Sequence, residues 1–449
     1  MTGNELLKNI DLKNSELLFN ELYGEQELDA QRKRYRTLIA GMAALPETEL
    51  RDTYGGLRVF SAPGRTELGG NHTDHNNGKV LAASIQLDNA AVVQKRNDGV
   101  VFFRSTGHND VRVTLFDSSG KPDFEPKPEE EGNTEALIRG IAAEMRKRGI
   151  NADGFSANAA SNVLTGSGLS SSAALEVLIG RIFDVLCGEG KLSSLEIARI
   201  GQTAENLYFK KPCGLMDQAA CAAGGAVAIN FADTYHPEIK RINFDLTAAG
   251  YSLCVVNTGG SHANLTGDYA SIPAEMKSAA ALCGANMLSE LQKEDILARA
   301  AEIRKTSGDR ALLRSLHFFN ENERVDQMAA ALTQMDNVSS RTEKQQALLK
   351  YLDLVNESGD SSWELLQNVY SRPNEQGISA ALALTKEFFR KQELTGAARV
   401  HGGGFAGTVQ VYIPLDAMNA YRAYIEAVFG AGSLTILRIR SRGAVELEF

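Results

Sequence analysis

A glycine- and serine-rich loop, GSGLSSSAALEV at residues 166–177, stands between two segments of different periodicity. Residues 154–164 read GFSANAASNVL and predict a strand, whereas residues 171–187 have the apolar spacing of a helix. A loop with so little side-chain bulk lets backbone N–H groups approach a phosphate, and the helix N-terminus adds positive potential. The alternatives are a flexible linker and a helix start capped by serine. A linker rarely joins a strand directly to a helix, so the position favours phosphate binding.

Composition limits the classes of partner that this chain can have. Its 449 residues include 47 basic and 56 acidic side chains, and the net charge of −9 argues against nucleic acid or an anionic membrane as the main partner. The five cysteines form no C-x-x-C pair, which is typical of reduced thiols. The first residues do not resemble a signal peptide, and no apolar run approaches the ~18 residues of a membrane span. We therefore expect a cytoplasmic protein; its oligomeric state is not indicated.

Periodicity along the chain predicts both helices and strands. Residues 1–50 have helical apolar spacing, and short β-rich runs separated by Gly and Asn/Asp turns follow them. Residues 134–149 predict an amphipathic helix with Thr134 as its N-cap. Helical stretches dominate from about 268 to 393, and strands close the chain.

These stretches together predict an α+β fold in two lobes. The first lobe covers residues 1–235 and holds the glycine- and serine-rich loop. The second covers residues 240–449 and holds another glycine-rich stretch, HGGGFAGTVQVYIP at 401–414. Glycines at that position indicate a backbone that passes close to a neighbour, either a nucleotide or a packed strand.

Short polar side chains crowd a glycine-rich turn at residues 61–81, SAPGRTELGGNHTDHNNGKVL. Arg65, Glu67, His72 and Asp74 lie there between two predicted strands. This composition is typical of a pocket that hydrogen-bonds a polyol, although Asn, Asp and Gly are also common turn formers. The two histidines of the turn lack a third ligand at a matching spacing, so a metal site is not favoured.

A third stretch, AENLYFKKPCGLMDQAACAAGG at residues 204–225, carries two acids in apolar surroundings. Glu205 lies in a predicted helix, and Asp217 is the single charge between residues 213 and 230. A buried acid needs a partner, and Arg65 is a candidate. The alternative interpretation is a structural ion pair or a helix cap.

In this order, the stretches resemble the galactokinase branch of the GHMP small-molecule kinases. PGRTELGGNHTDHNNG at 63–78 is similar to that branch's sugar-binding signature, and GSGLSSSAAL at 166–175 is similar to the family's phosphate loop. CGLMDQ at 213–218 resembles the segment with its catalytic aspartate, and GGGFAG at 402–407 resembles its third glycine motif. The resemblance implies a two-lobed α+β fold with the active site between the lobes. It also implies ATP-dependent phosphorylation of galactose at the anomeric hydroxyl.

Individual residues acquire roles from the same resemblance. Asp217 would take the proton from the attacking sugar hydroxyl, and Arg65 would keep that carboxylate ionised. Mg²⁺, a hard ion suited to oxygen ligands, would be held by Ser171 (or its neighbour Ser172) and Glu205. The ATP phosphates would lie on a loop made of Gly166, Ser167, Gly168, Leu169, Ser170, Ser171 and Ser172. Contacts to the sugar would come from Glu67, Asn71, His72, Asp74 and Tyr269.

The sugar end of the sequence departs from the family pattern. The family usually reads GRVNLIGEHTDYN; here Asn and Glu have exchanged places, as Glu67 and Asn71, and Tyr is replaced by His75. The family's glutamate at position 71 touches the hydroxyl on carbon 6 of galactose. A neutral Asn71 removes a repulsion that would exclude a carboxylate. The alternative substrate is therefore a sugar altered at carbon 6, such as galacturonate.

A galactose sensor that binds ATP and sugar without catalysis is an alternative of another class. Relatives of that kind carry a damaged serine loop. In this chain GLSSSAA is whole, and Arg65, Glu205 and Asp217 are all present. Catalysis is therefore favoured, and release of ADP on adding sugar would distinguish the two.

Overall fold

Two β-sheets covered by helices make up the fold, in a computed structural model that describes residues 1–164, 166–260 and 265–449. Helices and strands occur throughout the chain, which confirms the predicted α+β class. Among the described residues, no helix combines the length and the apolar character needed to cross a bilayer.

The secondary-structure elements have the following bounds. Over the described residues, the α-helices are α1 (Gly3–Asn9), α2 (Lys13–Tyr23), α3 (Leu28–Ala43), α4 (Glu47–Leu50), α5 (Thr134–Lys147), α6 (Ser171–Cys187), α7 (Ser194–Thr203), α8 (Met216–Ala223), α9 (Thr266–Leu282), α10 (Lys293–Ala298), α11 (Ala300–Thr306), α12 (Asp309–Asn337), α13 (Arg341–Ser361), α14 (Gly377–Lys391) and α15 (Met418–Phe429). The strands are β1 (Thr53–Gly69), β2 (Lys79–Arg96), β3 (Val100–Ser105), β4 (Val111–Thr114), β5 (Phe155–Ser161), β6 (Ala226–Asn230), β7 (Glu238–Ile242), β8 (Tyr251–Asn257), β9 (Ala397–His401), β10 (Thr408–Pro414), β11 (Leu434–Leu437) and β12 (Val445–Leu447). A π-helical turn, Ala204–Phe209, continues α7.

The larger sheet is built mainly from the first half of the chain. Its strands run in the order β12–β1–β2–β5–β3–β4, and β6 and β7 extend it from β2. Neighbouring strands are antiparallel except β3 with β5, which are parallel. The smaller sheet has the order β11–β8–β10–β9. The chain end thus returns to the larger sheet through β12, and the lobe boundaries 1–235 and 240–449 stay a prediction.

Helices cover both faces of the larger sheet because both alternating sets of strand residues are apolar. Val59 and Val92 belong to a core shared with Tyr35 of the N-terminal helices. Phe60 and Val93, one position further along each strand, belong to the main core, which includes residues of α5 to α8. Successive side chains of a strand point to opposite faces, so continuous apolar runs fit strands that are buried on both sides.

The loop that separates strand from helix is where the sequence predicts it. The predicted helix over 171–187 is present with those bounds as α6, and β5 lies within the predicted strand at 154–164. The prediction of Thr134 as an N-cap is wrong by one residue. Asn133 has the extended backbone of an N-cap, with φ −115° and ψ 162°, and Thr134 is the first helical residue. Asparagine is an equally preferred N-cap.

Strand β1 is irregular at the residues that it contributes to the candidate site. Its register against β2 shifts between Pro63 and Arg65, and again between Glu67 and Gly69. Such bulges bend a strand and re-aim its side chains. The two shifts bracket Arg65 and Glu67, and both side chains are buried.

A buried ionic cluster ties the N-terminal helices to the larger sheet. Asp88 of β2 is fully buried and accepts hydrogen bonds from Tyr23 Oη at 2.6 Å and from Arg34 at 2.5 Å. Arg440, near the chain end, lies 3.2 Å from the same carboxylate. Burial acts to raise the pKa of Asp88, but the two guanidinium groups outweigh it and hold that pKa below its usual value. One carboxylate therefore pairs with two arginines from distant parts of the chain.

Replacing this carboxylate tests whether the cluster holds the N-terminal helices in place. Asp88→Asn would leave Arg34 and Arg440 without a counter-charge, and we expect the free energy of unfolding to fall by about 3–5 kcal/mol in chemical denaturation. The control variant Asp326→Asn breaks an exposed pair with Lys79, and it should cost less than about 1 kcal/mol. Small and equal losses in both variants would contradict the expectation.

Candidate active site

An ion pair between Arg65 and Asp217 lies at the centre of the candidate site. Arg65 on β1 donates from Nε to Asp217 Oδ1 at 2.7 Å, and its Nη2 lies 2.7 Å from the same oxygen. The third guanidinium nitrogen, Nη1, donates to the carbonyl of Gly168. The backbone N–H of Arg65 donates to the carbonyl of Leu169 at 3.1 Å. The predicted pairing is present, and the same arginine also holds the glycine- and serine-rich loop.

Asp217 is placed to remain ionised. It lies in the first turn of α8, where the helix dipole favours a negative charge. Burial acts to raise the pKa of Asp217, but the charge of Arg65 and hydrogen bonds from Ser170 and Arg65 outweigh it and lower that pKa. About a third of the Asp217 side chain is still exposed, at 32%. An ionised and accessible carboxylate can accept a proton from a bound hydroxyl.

The glycine- and serine-rich loop divides into an inward and an outward part. Ser167 and Leu169 are buried, and Ser167 Oγ donates to the carbonyl of Leu164 at 2.6 Å. Ser170, at the N-cap of α6, has a left-handed backbone with φ 58°, and its hydroxyl donates to Asp217 Oδ2 instead of capping the helix. The first N–H groups of α6 therefore have no side-chain cap. An uncapped helix N-terminus beside a glycine loop can bind an anion.

The third glycine motif packs directly on this loop. A methyl group added at Gly402 would lie 3.6 Å from Cα of Gly168. Thr408 donates from Oγ1 to the carbonyl of Ser167 at 2.9 Å, and His401 Nδ1 lies 2.9 Å from that hydroxyl. The smaller sheet thus contacts the loop through the ends of β9 and β10. The sequence suggested a nucleotide or a packed strand beside these glycines, and the neighbour of Gly402 in the structure is the backbone of Gly168.

A second acidic centre surrounds Glu205, which is buried in the π-helical turn. Its Oε1 accepts hydrogen bonds from Ser172 Oγ at 3.3 Å and from Lys211 Nζ at 2.8 Å. Its Oε2 accepts from Gln218 Nε2 at 2.9 Å. The serine that contacts Glu205 is therefore Ser172, which the prediction gave as the alternative to Ser171. The placement of Ser171 at a metal stays a prediction.

Glu176 of α6 adds a further carboxyl group to this centre. Gln218 Nε2 donates to Glu176 Oε2 at 2.9 Å as well as to Glu205, so one amide bridges the two acids. Within the described residues, Oε1 of Glu176 has no hydrogen-bond partner. Burial first, and then the charge of Glu205, raise the pKa of Glu176 well above its usual value. The raised pKa favours the neutral form of Glu176, which reduces its repulsion with the neighbouring carboxyl group.

His72 is a neutral ring that is held against the third glycine motif. It has a positive φ of 61°, and its Nε2 lies 2.9 Å from the carbonyl of Gly403. Burial, and then the nearby His75, lower the pKa of His72 to about 3. A carbonyl oxygen only accepts, so Nε2 carries the proton and Nδ1 is left as an acceptor.

Asp74 and Tyr269 lie at the edges of the same region. A Cβ added at Gly214 would overlap Asp74 Oδ2 and displace that carboxylate, so the loop before α8 lies close to the sugar signature here. Tyr269 Oη donates to the carbonyl of Gly404 at 3.0 Å, and its ring packs edge-on against Phe405. The structure therefore brings both predicted residues to the third glycine motif or to the Asp217 segment.

The exchanged pair Glu67 and Asn71 is buried and hydrogen-bonded to itself. Asn71 Nδ2 donates to Glu67 Oε1 at 3.0 Å and to the carbonyl of Gly402 at 2.7 Å. Asn71 Oδ1 accepts from Asn368 at 2.7 Å. Arg399 of β9, which is fully buried, forms an ion pair with Glu67. Burial raises the pKa of Glu67, and the charge of Arg399 opposes that increase. Both polar atoms of Asn71 thus have protein partners, and its contact to a sugar stays a prediction.

Several contacts of the site have no signal in the sequence patterns. The bond from Ser170 to Asp217 needs a left-handed residue that no local motif announces. The pairing of Arg399 with Glu67 spans 332 residues. Glu176 could have been noticed as a charge within the apolar run of α6, and Lys211 as a cation in the segment that carries both acids.

Comparison with protein families supports the grouping that the motifs suggest. Residues 136–225 match the GHMP kinases N-terminal domain, and residues 48–95 match the galactokinase galactose-binding signature. The first match contains the glycine- and serine-rich loop and Asp217. The second contains Arg65 and the turn after β1.

Whole-chain relatives give the same result. The galactokinase of Streptomyces coelicolor is 30% identical over 398 residues, which cover 87% of this chain and 93% of that protein. The galactokinase of Glaesserella parasuis is 30% identical over 392 residues, covering 85% and 93%. The crystal structure of Lactococcus lactis galactokinase complexed with galactose superposes with a TM-score of 0.71 at 25% identity, covering 91% of this chain and all of that one. A mevalonate kinase, with a TM-score of 0.57 at 13% identity over 86% of this chain and 99% of that one, shares the fold. Nearly full-length relatives at this identity show that the chain belongs to the galactokinase family of GHMP kinases.

Proposed function

We propose that this protein transfers the terminal phosphoryl group of ATP to the anomeric hydroxyl of galactose, which yields galactose 1-phosphate and ADP. The observation that carries the proposal is the position of Asp217. Its carboxylate is held by Arg65 and Ser170, at the point where the sugar signature meets the glycine- and serine-rich loop. A base in that position lies between an acceptor sugar and a donor phosphate.

The proposed mechanism needs positioning and charge more than covalent chemistry. Asp217 accepts the proton of the attacking hydroxyl as the sugar oxygen bonds to the γ-phosphorus, and the bond from that phosphorus to the bridging oxygen breaks, so that the oxygen leaves with ADP. Arg65 keeps the carboxylate ionised beforehand and neutralises charge that develops during transfer. Ser170 directs Oδ2 of Asp217 and thereby leaves the N-terminus of α6 open to the phosphates.

The residues around Glu205 fit a magnesium ion that accompanies ATP. Glu205 and Ser172 supply oxygen ligands, which Mg²⁺ prefers, and the ammonium group of Lys211 shows that a cation is stable beside Glu205. Two protein ligands are enough, because Mg²⁺ usually keeps several waters and binds the phosphates of its substrate. When bound, the ion would neutralise phosphate charge. Ser171, in the next position on the loop, is retained as an alternative ligand.

For the sugar, we propose contacts from Nδ1 of His72, from Asp74 and from the hydroxyl of Tyr269. A neutral acceptor, a carboxylate and a hydroxyl together match the alternating donors and acceptors of a polyol. Asn71 directly precedes His72 in the chain and is hydrogen-bonded to Glu67, and we propose that these two residues shape the pocket around carbon 6. Galacturonate is the second candidate substrate, because Asn71 is uncharged where a glutamate would repel a carboxylate.

We further propose that the protein works in the cytoplasm on these small molecules, without a nucleic-acid or membrane partner. The five cysteines, all within the described residues, are free. The acidic net charge of −9 disfavours polyanionic partners.

Asp217→Asn tests the assignment of the base. The amide keeps the shape of the side chain but cannot accept the proton, so kcat for galactose phosphorylation should fall by about 10²–10⁴-fold. Turnover is measured by ADP release, while thermal unfolding and calorimetric ATP binding show that the variant is folded and binds nucleotide. A folded variant with a rate near that of the wild type would remove Asp217 from the mechanism.

Gly168→Ala tests whether the loop binds the phosphates. Gly168 has a φ of +71°, and an added Cβ would lie 3.2 Å from Nδ1 of His401, so the loop must move. We expect ATP affinity to fall about tenfold or more. The control is Gly284→Ala, far from Gly168 in the chain. Gly284 also has a positive φ, +81°, so alanine strains the backbone similarly, but the added Cβ meets no atom within 4 Å. This variant should leave ATP affinity unchanged. Unchanged affinity in Gly168→Ala would return the loop to a structural role.

The exchanged pair tests which sugar the pocket selects. A single Asn71→Glu change would place a second carboxylate beside Glu67, whose Oε1 already lies 3.0 Å from Asn71. The double exchange Glu67→Asn with Asn71→Glu keeps one charge near Arg399 and restores the family order. Hydrogen bonds to charged groups are stronger than neutral ones by about 1–1.5 kcal/mol. The ratio of kcat/KM for galactose over galacturonate should therefore rise roughly tenfold. An unchanged ratio in a folded double variant would mean that this pair does not select at carbon 6.

A further inference from the structure

Lys211 is a cation placed on the buried acid Glu205 at the open side of the site. Its Nζ lies 2.8 Å from Oε1 of Glu205, on the same oxygen that accepts from Ser172. The Glu205 side chain is 3% exposed, whereas that of Lys211 is 59% exposed. Glu205 is therefore held in place by the surrounding protein, whereas the Lys211 side chain can reorient into solvent.

The backbone around Lys211 presents its side chain to the acids. Lys210 has a left-handed backbone with φ 66°, which ends the π-helical turn, and the N–H of Lys211 donates to the carbonyl of Glu205 at 3.1 Å. The ammonium group is thereby directed at the Glu205 carboxylate.

A buried carboxylate needs a compensating partner, and Lys211 is the cation in contact with Glu205. Leaving Glu205 ionised and unpaired would cost several kcal/mol. If Glu205 bound a divalent ion, Lys211 would no longer be needed as its counter-charge. Repulsion between like charges would then favour movement of the lysine away from Glu205. The triphosphate that accompanies such an ion would offer the displaced ammonium group new anionic oxygens nearby, and the long side chain of lysine can make that change.

We propose that Lys211 is a movable cation: it neutralises Glu205 in the nucleotide-free protein, yields that carboxylate to the divalent ion, and then binds phosphate oxygens of the nucleotide. This inference rests on the proposed function, because it takes ATP with Mg²⁺ as the ligand. It adds a phosphate-binding residue that none of the glycine or serine motifs contains.

Two substitutions of adjacent lysines separate this role from general surface charge. Lys211→Met removes the ammonium group and keeps the length of the side chain. Lys210→Met removes an equal charge from the next residue, which is also exposed, and serves as the matched control. Lys211→Arg retains the charge.

The measurements use two probes that need no turnover. The affinity of the nucleotide-free protein for Mn²⁺, measured by electron paramagnetic resonance, should increase about fivefold in Lys211→Met, because the competing cation is gone. The affinity for a non-hydrolysable ATP analogue with Mg²⁺, measured by calorimetry, should decrease by at least a similar factor. Lys210→Met should change neither affinity, and Lys211→Arg should bind the analogue as the wild type does.

The proposal predicts changes of opposite sign in Lys211→Met: the affinity for Mn²⁺ increases and the affinity for the ATP analogue decreases. A purely structural lysine would weaken both affinities or neither, and either result would overturn the proposal, as would equal effects in Lys210→Met. Failure of the proposed function would be seen separately, as the absence of ADP release by wild-type protein with any sugar tested. Neither binding experiment depends on that result.

Discussion

The guanidinium group of Arg65 is the constraint on which the rest of the site depends. It is 6% exposed, and its nitrogens contact both Asp217 and the carbonyl of Gly168. Its own backbone N–H holds Leu169. Strand β1, the glycine- and serine-rich loop and α8 therefore meet at one side chain. Breaking a buried pair of this kind typically costs about 3–5 kcal/mol, because it leaves the remaining charge uncompensated.

Charge is balanced across the whole site by pairing rather than by solvent. Asp217 has Arg65, Glu67 has Arg399, and Glu205 has the exposed Lys211. The Glu67–Arg399 pair is enclosed by the protein, and in the first pair the buried Arg65 holds a carboxylate that is 32% exposed. Of these three pairs, the third has the most exposed cation, and it is the pair that we propose opens when the nucleotide and its divalent ion bind. In the proposed mechanism, the two arginine pairs position the reactants, and the lysine pair gives way to the metal ion.

Prediction from sequence was accurate where structure is local. Helix α6 begins at Ser171 and ends at Cys187 as its apolar spacing indicates, because periodicity depends only on neighbours within a few turns. The pairing of Arg65 with Asp217 was also predictable, since an isolated acid in an apolar run needs a counter-charge. The cap of α5 was misplaced by one residue because Asn133 and Thr134 are both acceptable cap residues, and only the backbone angles distinguish them.

The sequence by itself determined the family, the fold class and the residue types present: a glycine- and serine-rich loop, two acids, one arginine and a polar turn. These follow from local spacing and from the order of motifs along the chain. Only the tertiary structure decided which hydroxyl meets which carboxylate, namely Ser170 with Asp217 and Ser172 with Glu205. It also showed that both polar atoms of the Asn71 amide are hydrogen-bonded within the protein, to Glu67 and Asn368. These contacts join residues 4 to 297 positions apart, and their geometry depends on backbone angles and on how sheets and helices pack, which local patterns do not encode.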